Sequence, residues 1–359
     1  VELDRLLTML VQVRGSDLHL CAGEPPTMRV RQLVRRTRFP ELSAADIEAG
    51  LRRIAGPERW RRFGQDLELD FAHVVPGVGR FRVNLYQEQG GPAACFHHIP
   101  SRVQSIEELG LPPVLKKIAA LPRGIVLVTG PTGSGKSTTL AALIHEINRT
   151  RPVHIVTIED PIEFIHTPDM ASITQREIAV DTHSFAEALR HVMRQNPDVI
   201  LVGELRDLET IQLAITAGET GHLVFSTLHT LDAVQTIDRI VDVFEPGRQE
   251  QVRAQLAITL QAVVSQELLP NADGSGLVGV FEVMIATPGI RNLIRERKTH
   301  QIYSLVQAGG GMGMQTFDQH LLALCAAGRV DLERALAKAK NPEDFRLRAH
   351  TGADTQQAS

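Results

Sequence analysis

Hydrophobic positions follow two different rules along this chain. Up to about residue 100 they alternate with polar ones or recur at helical spacing. Leu3, Leu6, Leu7 and Leu10 predict a first helix. Residues 17–20 and 28–31 alternate as strands, with Glu24-Pro25-Pro26 turning between them. Ser43 is placed as the N-cap of a helix carrying Ile47, Leu51 and Ile54. Leu67, Leu69 and Phe71, then Phe81, Val83 and Leu85, alternate on either side of Pro76-Gly77-Val78-Gly79, which predicts a hairpin. Residues 1–100 therefore read as a separate α+β domain. Residues 101–112, with Ser101, Glu107-Glu108 and Gly110-Leu111-Pro112-Pro113, read as a linker.

Beyond the linker the rule changes. Short unbroken apolar runs at 124–128, 153–158, 199–202 and 223–225 alternate with helical patterns near 137–148, 185–194 and 209–217. Gly218 is read as the stop of the last of these. That alternation predicts a mostly parallel α/β sheet with both faces covered. The final third reads as helical over 249–268, through Val252, Leu256, Leu260, Val263 and Val264. A strand is expected at 277–284, then a helix opened by Thr287-Pro288. Gly309–313 reads as flexible, followed by two helices capped by Thr316 and Asp331. The second domain thus spans 113–349, and the polar tail 350–359 is expected to be disordered.

The junction between the first apolar run and its helix carries the chemistry. Gly130-Pro131-Thr132-Gly133-Ser134-Gly135-Lys136-Ser137-Thr138 contains the P-loop pattern G-x-x-x-x-G-K-S. Glycines let successive backbone N–H groups face one concavity at a helix N-terminus, which favours an anion. Lys136 is the expected partner of the β- and γ-phosphates of ATP, and the Ser137 hydroxyl the expected ligand of Mg²⁺.

In an open α/β sheet, ligands bind beyond the carboxyl ends of the strands. The second run leads into Glu159-Asp160-Pro161-Ile162-Glu163, the third into Gly203-Glu204 and the fourth into Ser226-Thr227-Leu228-His229. ATP hydrolysis needs a carboxylate that orients or deprotonates water, an acid near Mg²⁺ and a polar group that senses the γ-phosphate. Glu163, Glu204 and His229 supply those types. Gly203 stands where a Walker B aspartate is usual, which favours Glu204 as the metal-shell acid and Glu163 as the base. The opposite assignment stays open.

Composition narrows the alternatives. The chain has 359 residues, 43% hydrophobic and 22% charged, with a net charge of −4. No global basic field attracts nucleic acid, and Trp60 is the only tryptophan available for stacking on bases. The arginine pairs Arg35-Arg36 and Arg52-Arg53 are interleaved with acids and read as solvated faces. Cys21, Cys95 and Cys325 form no CxxC pair, and Arg149 breaks any HExxH motif at His145-Glu146. No apolar run approaches the ~20 residues of a membrane-spanning helix.

These boxes together resemble the type IV pilus retraction ATPases, the PilT group of the type II/IV secretion ATPase superfamily. The matching boxes are residues 130–137 (Walker A), 157–164 (the Asp box), 198–207 (an atypical Walker B) and 218–230 (the His box). Gly289-Ile290-Arg291-Asn292-Leu293-Ile294-Arg295-Glu296 is similar to the retraction motif Ala-Ile-Arg-Asn-Leu-Ile-Arg-Glu. Assembly and type II secretion ATPases usually carry a tetracysteine zinc module, which this sequence lacks. The resemblance implies a PAS-like N-terminal domain, a RecA-like ATPase domain and a homohexameric ring. It implies Mg-ATP as cofactor, an inner-membrane pilus platform protein as partner, and a cytoplasmic location at the pilus base. It also implies a base at Glu163, Mg²⁺-associated chemistry at Glu204, and N-terminal-domain arginines that complete the nucleotide site, matched by Arg80 and Arg82. Departures are Gly289 and Gly218 for Ala, Arg31-Gln32 for an Asp-Gly turn, and Gln195-Asn196 before Pro197-Asp198 where acids are common. They keep an accessory retraction subunit in view beside the main motor.

Overall fold

The structure, a computed structural model, describes residues 2–30, 33–99, 102–274 and 276–356. Arg31-Gln32 and Ser101 lie outside them. The chain divides into two compact units: Val1–Arg102 together with Pro161–Ile165, and Val103–Asp160 with His166–Ser359.

The first unit holds α1 (Leu3–Gln12), β1 (Gly15–Leu20), β2 (Thr27–Val30), β3 (Leu33–Arg36), α2 (Ala44–Asp66), β4 (Glu68–Val75), β5 (Gly79–Glu88) and β6 (Gly91–Ile99). Its six-stranded sheet has the order β3-β2-β1-β6-β5-β4 and every pairing is antiparallel. The leucines of α1, Ile47 and Leu51 of α2, and Phe81, Val83 and Leu85 of β5 form one core. Ser43 caps α2 as expected, its hydroxyl accepting from the Asp46 N–H. The central strand β6 escapes a reading by alternation, because Pro92, Ala93 and Ala94 are all buried in succession.

The second unit continues with α3 (Val114–Ala119), β7 (Gly124–Thr129), α4 (Lys136–Thr150), β8 (His154–Glu159), β9 (Ser172–Glu177), α5 (Phe185–Val192), β10 (Val199–Val202), α6 (Leu208–Glu219) and β11 (Leu223–Leu228). Then come α7 (Ala233–Asp242), α8 (Pro246–Thr259), β12 (Leu260–Pro270), β13 (Leu277–Ile285), α9 (Pro288–Arg295), α10 (Ile302–Ala308), α11 (Phe317–Ala326), α12 (Leu332–Lys338) and α13 (Pro342–Gln356). The seven-stranded sheet runs β13-β12-β7-β11-β10-β8-β9, parallel except for β13. Alternate residues of β7 face opposite cores. Ile125 and Leu127 join α5 to α9, whereas Val126 and Val128 join α3 and α4. Burial on both faces explains the unbroken apolar runs.

Several expectations change. The long helix expected over 249–268 stops at Thr259, and its second half is β12, wedged between β7 and β13. The β-branched Val263-Val264 fit a sheet, and pairing on both sides decides the outcome over helical spacing. Gly218 does not end α6, which continues to Glu219. A Cβ there would meet Ile125 Cγ1 at 2.9 Å, so the glycine serves close packing of α6 on β7. The stretch 101–112 is not a free linker from Val103 onward. Ile106 and Leu111 are buried in the second unit's core, and Ser105 and Glu108 cap one another's backbone N–H groups. Residues 310–312 form a short 3-10 turn. The helix α13 extends to Gln356, opened by Asn341, whose side chain accepts from the Asp344 N–H.

The segment 289–296 is built into the fold. Ile290 and Ile294 are core residues, and Arg291 donates to the carbonyls of Ala257 and Ile258, both at 2.7 Å. Arg291 thereby caps the carboxyl end of α8, where unpaired carbonyls favour a cation.

His320 makes one stability prediction. Burial pushes its pKa down to about 4 from 6.5, and its Nδ1 accepts the Phe281 N–H at 2.9 Å. The imidazole is neutral when folded, while the unfolded chain takes up a proton below pH 6.5. Its contribution is complete above that pH and is lost as pH falls toward 4, on the order of 2 kcal/mol by pH 5. Denaturant unfolding at pH 7 and pH 5 should show a smaller loss in His320→Gln than in the wild type. An equal loss in both would refute the assignment.

Candidate active site

The loop after β7 is shaped by its glycines and by β12. Gly130 has φ +143°, and Gly133 and Gly135 have φ +77° and +86°. A Cβ at Gly130 would lie 2.2 Å from the Gln266 carbonyl oxygen of β12 and 2.7 Å from Ser134 Oγ. Only glycine fits that gap. Gln266 also reaches the loop with its side chain, Nε2 donating to the Ser134 carbonyl at 2.6 Å. Thr129 and Ser265 join β7 to β12 by a buried hydroxyl–hydroxyl bond of 2.8 Å. Lys136, at the first position of α4, donates from Nζ to the carbonyls of Gly130 and Pro131, both at 2.9 Å.

This loop fits the triphosphate end of a nucleotide. Left-handed glycines turn backbone N–H groups toward one concavity, and α4 adds its positive end. Ser134 Oγ is buried without a hydrogen-bond partner among the described residues. Ser137 and Thr138 follow in the first turn of α4.

Two other strand ends meet beside it in the sheet. β10 and β11 pair in parallel register, Val202 against Ser226. The Ser226 hydroxyl donates to the Val202 carbonyl and the Thr227 hydroxyl to the Gly203 carbonyl, both at 2.6 Å. These bonds lock Gly203-Glu204 against the loop that carries His229. Glu204 Oε1 lies 3.2 Å from His229 Nε2, and Glu204 Oε2 accepts from Arg206 Nε at 2.7 Å. The structure thus brings Glu204 and His229 together and adds Arg206, which nothing in the sequence had singled out. Gln266 was missed for a plain reason, since its strand reads as helix. The doublet Val263-Val264 was the available signal.

The remaining expected residues belong to the first unit. β8 ends at Glu159, whose carboxylate accepts from the Thr157 hydroxyl at 2.7 Å and from Gln175 Nε2 at 3.3 Å. Glu163 lies beyond it in Pro161–Ile165, which belongs to the first unit. Arg80 and Arg82 stand half-buried on β5, on the face opposite Phe81 and Val83. Arg82 Nε comes within 4.0 Å of Asp70 Oδ1 across the β4–β5 hairpin. Both partners remain open to solvent, so this pair contributes little to stability.

A P-loop opening a helix at the carboxyl edge of a mostly parallel sheet, with an acid–histidine pair on the neighbouring strand ends, defines a RecA-like ATPase domain. Residues 101–337 match the model of the type II/IV secretion system protein family. The chain is 51% identical to the type IV pilus retractation ATPase PilT of Pseudomonas aeruginosa, over 96% of this chain and 100% of that protein. It is 39% identical to the type IV pilus ATPase PilU of the same organism, over 99% of this chain and 93% of that one. A crystal structure of the pilus retraction motor PilT with bound ADP superposes with a TM-score of 0.89 at 42% identity, covering 96% of this chain and 98% of the other. The chain belongs to the type II/IV secretion ATPase family.

The contact from β12 generates a prediction. Gln266→Leu removes the donor to the Ser134 carbonyl while keeping a side chain of similar length at this buried position. ADP affinity should fall roughly tenfold, the scale of one lost hydrogen bond. Isothermal titration calorimetry measures it, and unchanged affinity would detach Gln266 from the site.

Proposed function

We propose that this chain is the ATP-hydrolysing motor of type IV pilus retraction. The observation that carries the reading is an intact P-loop and Glu204–His229 pair in a chain that matches PilT along almost its whole length. The same chain is less similar to PilU, which favours the principal motor over an accessory subunit. The segment 289–296, close to the retraction motif, favours retraction over assembly.

The nucleotide supplies the scissile γ-phosphate bond, and Mg²⁺ would neutralise charge on its oxygens. The chain's own residues divide the remaining work. The backbone N–H groups of 130–138 cradle phosphate, and Lys136 adds a fixed cation. Ser137 and Glu204 suit Mg²⁺, which keeps several waters and needs only one or two protein oxygens. Glu163 takes the role of base toward water. Arg80 and Arg82 carry positive charge toward developing negative charge, and His229 senses the γ-phosphate through its contact with Glu204. The working form is a ring of six copies at the inner membrane, bound to a pilus platform protein. No helix among the described residues is long and apolar enough to cross a membrane, so docking on that partner fits.

Deleting the gene in its own host should leave excess, non-retracting surface pili. Loss of all pili would instead identify an assembly motor. In the purified chain, Lys136→Ala should abolish tight Mg-ATP binding in calorimetry. Glu163→Gln should keep binding but lower turnover roughly 10²–10⁴-fold, the scale of a positioned general base. If Glu204→Gln removes turnover while Glu163→Gln stays near wild type, the two carboxylates exchange roles.

A further inference from the structure

A buried charge network lies just beyond the His229 loop. Glu282 on β13 is only 3% exposed. Its Oε1 accepts the Ala233 N–H at 3.0 Å, at the first position of α7. Its Oε2 accepts from Lys340 Nζ at 3.1 Å, and the same ammonium reaches Asp232 Oδ2 at 3.3 Å. Asp232 is the N-cap of α7, its other oxygen taking the Gln235 N–H at 2.8 Å. One carboxylate and one capping acid thus satisfy the helix start, and one lysine bridges both.

The network continues on each side. Toward the nucleotide, Thr236 donates its hydroxyl hydrogen to the Asp232 carbonyl at 2.6 Å, so Thr230 must donate to Thr236, also at 2.6 Å. Thr230 follows His229 directly. Across the sheet, Glu282 pairs with Ser265, Ser265 with Thr129, and Thr129 with Leu228. That row runs from Glu282 through Thr129, the residue before Gly130, and ends on Leu228, the residue before His229. Toward the carboxyl terminus, Lys340 joins α12 to α13. Its backbone N–H and that of Asn341 both donate to Asp318 of α11, at 2.9 and 3.0 Å. The helices α11 to α13 share their own core around Phe317, Leu321, Ala335 and Phe345.

Burial by itself would depress the Lys340 pKa, but Glu282 and Asp232 outweigh it and hold the ammonium above its ordinary range. A buried acid and base are costly to desolvate, and replacing the pair with apolar residues is often neutral or stabilising. Stability alone therefore does not require this network here.

We propose that Glu282 and Lys340 are positioning residues for ATP hydrolysis, fixing the His229 loop against the P-loop and tying it to helices α11–α13. The inference rests on the role given to His229 above. Through this link, a shift of His229 with the γ-phosphate displaces the start of α7, and Lys340 passes the displacement to the C-terminal helices.

The test compares ATPase kinetics, ADP affinity and melting of the full chain. Lys340→Met should lower kcat roughly 10–100-fold, the scale of a displaced catalytic group, with KM for ATP and Kd for ADP within about threefold. Adding His229→Ala should lower kcat by less than about a further threefold, because both changes act on one group. If Lys340→Met melts early, Lys340→Met/Glu282→Gln carries the same test, since it leaves no unpaired buried carboxylate. Wild-type kcat in either folded variant overturns the proposal, and so do fully multiplicative losses with His229→Ala. Should His229→Ala alone hydrolyse ATP normally, the sensing role of His229 fails and this inference with it. An impaired His229→Ala beside a normal Lys340→Met sinks only the link.

Discussion

The close approach of Gly130 to the backbone of β12 is the constraint on which the second unit turns. A Cβ at residue 130 has no room beside the Gln266 carbonyl. The phosphate loop is therefore shaped by a strand that arrives more than a hundred residues later in the chain. β12 in turn holds its place by pairing in parallel with β7 and antiparallel with β13. Any change that loosens β12 reaches the loop through Gly130, Ser134 and Thr129 together. A site on regular elements is held more firmly than one on free loops, as tight phosphate geometry demands.

Charge is distributed differently in the two units. Pairs of the first unit such as Arg53 with Asp4 and Arg62 with Asp66 are solvent-exposed, while Asp17, held by Arg29 and His97, is partly buried. Exposed pairs contribute at most about 1 kcal/mol each. The second unit has exposed pairs too, such as Lys298 with Glu296, but it also buries Glu282 and Asp318 and leaves Glu204 only partly exposed, each with partners. Glu204 sits between Arg206 and His229, Glu282 between Lys340 and the start of α7, and Asp318 under two backbone N–H groups. Desolvation makes each of these expensive to break once formed.

The segment 289–296 shows how packing redistributes a motif's meaning. Ile290 and Ile294 are fully buried, Leu293 packs against the same core and Arg291 caps α8, so half of the motif is structural. Asn292, Arg295 and Glu296 remain on the surface. Those positions and the exposed Gly289 are free to contact a partner without disturbing the core.

Periodicity and local chemistry made much of this protein legible in its sequence. Unbroken apolar runs located β7, β8, β10 and β11, because strands covered on both faces tolerate no polar alternation. The P-loop was legible because its glycines, lysine and serine are adjacent in the chain. Ser43, Thr287 and Thr316 were recognisable as caps because capping is a contact across three residues. Tertiary structure decided what depends on distant neighbours. Helical spacing over 249–268 was outweighed at Leu260 by two flanking strands, and Gln266 and Ser265 reached the site only through that change. Glu204 meets His229 because β10 and β11 pair in parallel register. Lys340 meets Glu282 because α12 and α13 fold back on β13. Contacts between residues three or four apart are written in the local pattern, whereas those between residues fifty or a hundred apart exist only once the sheet has formed.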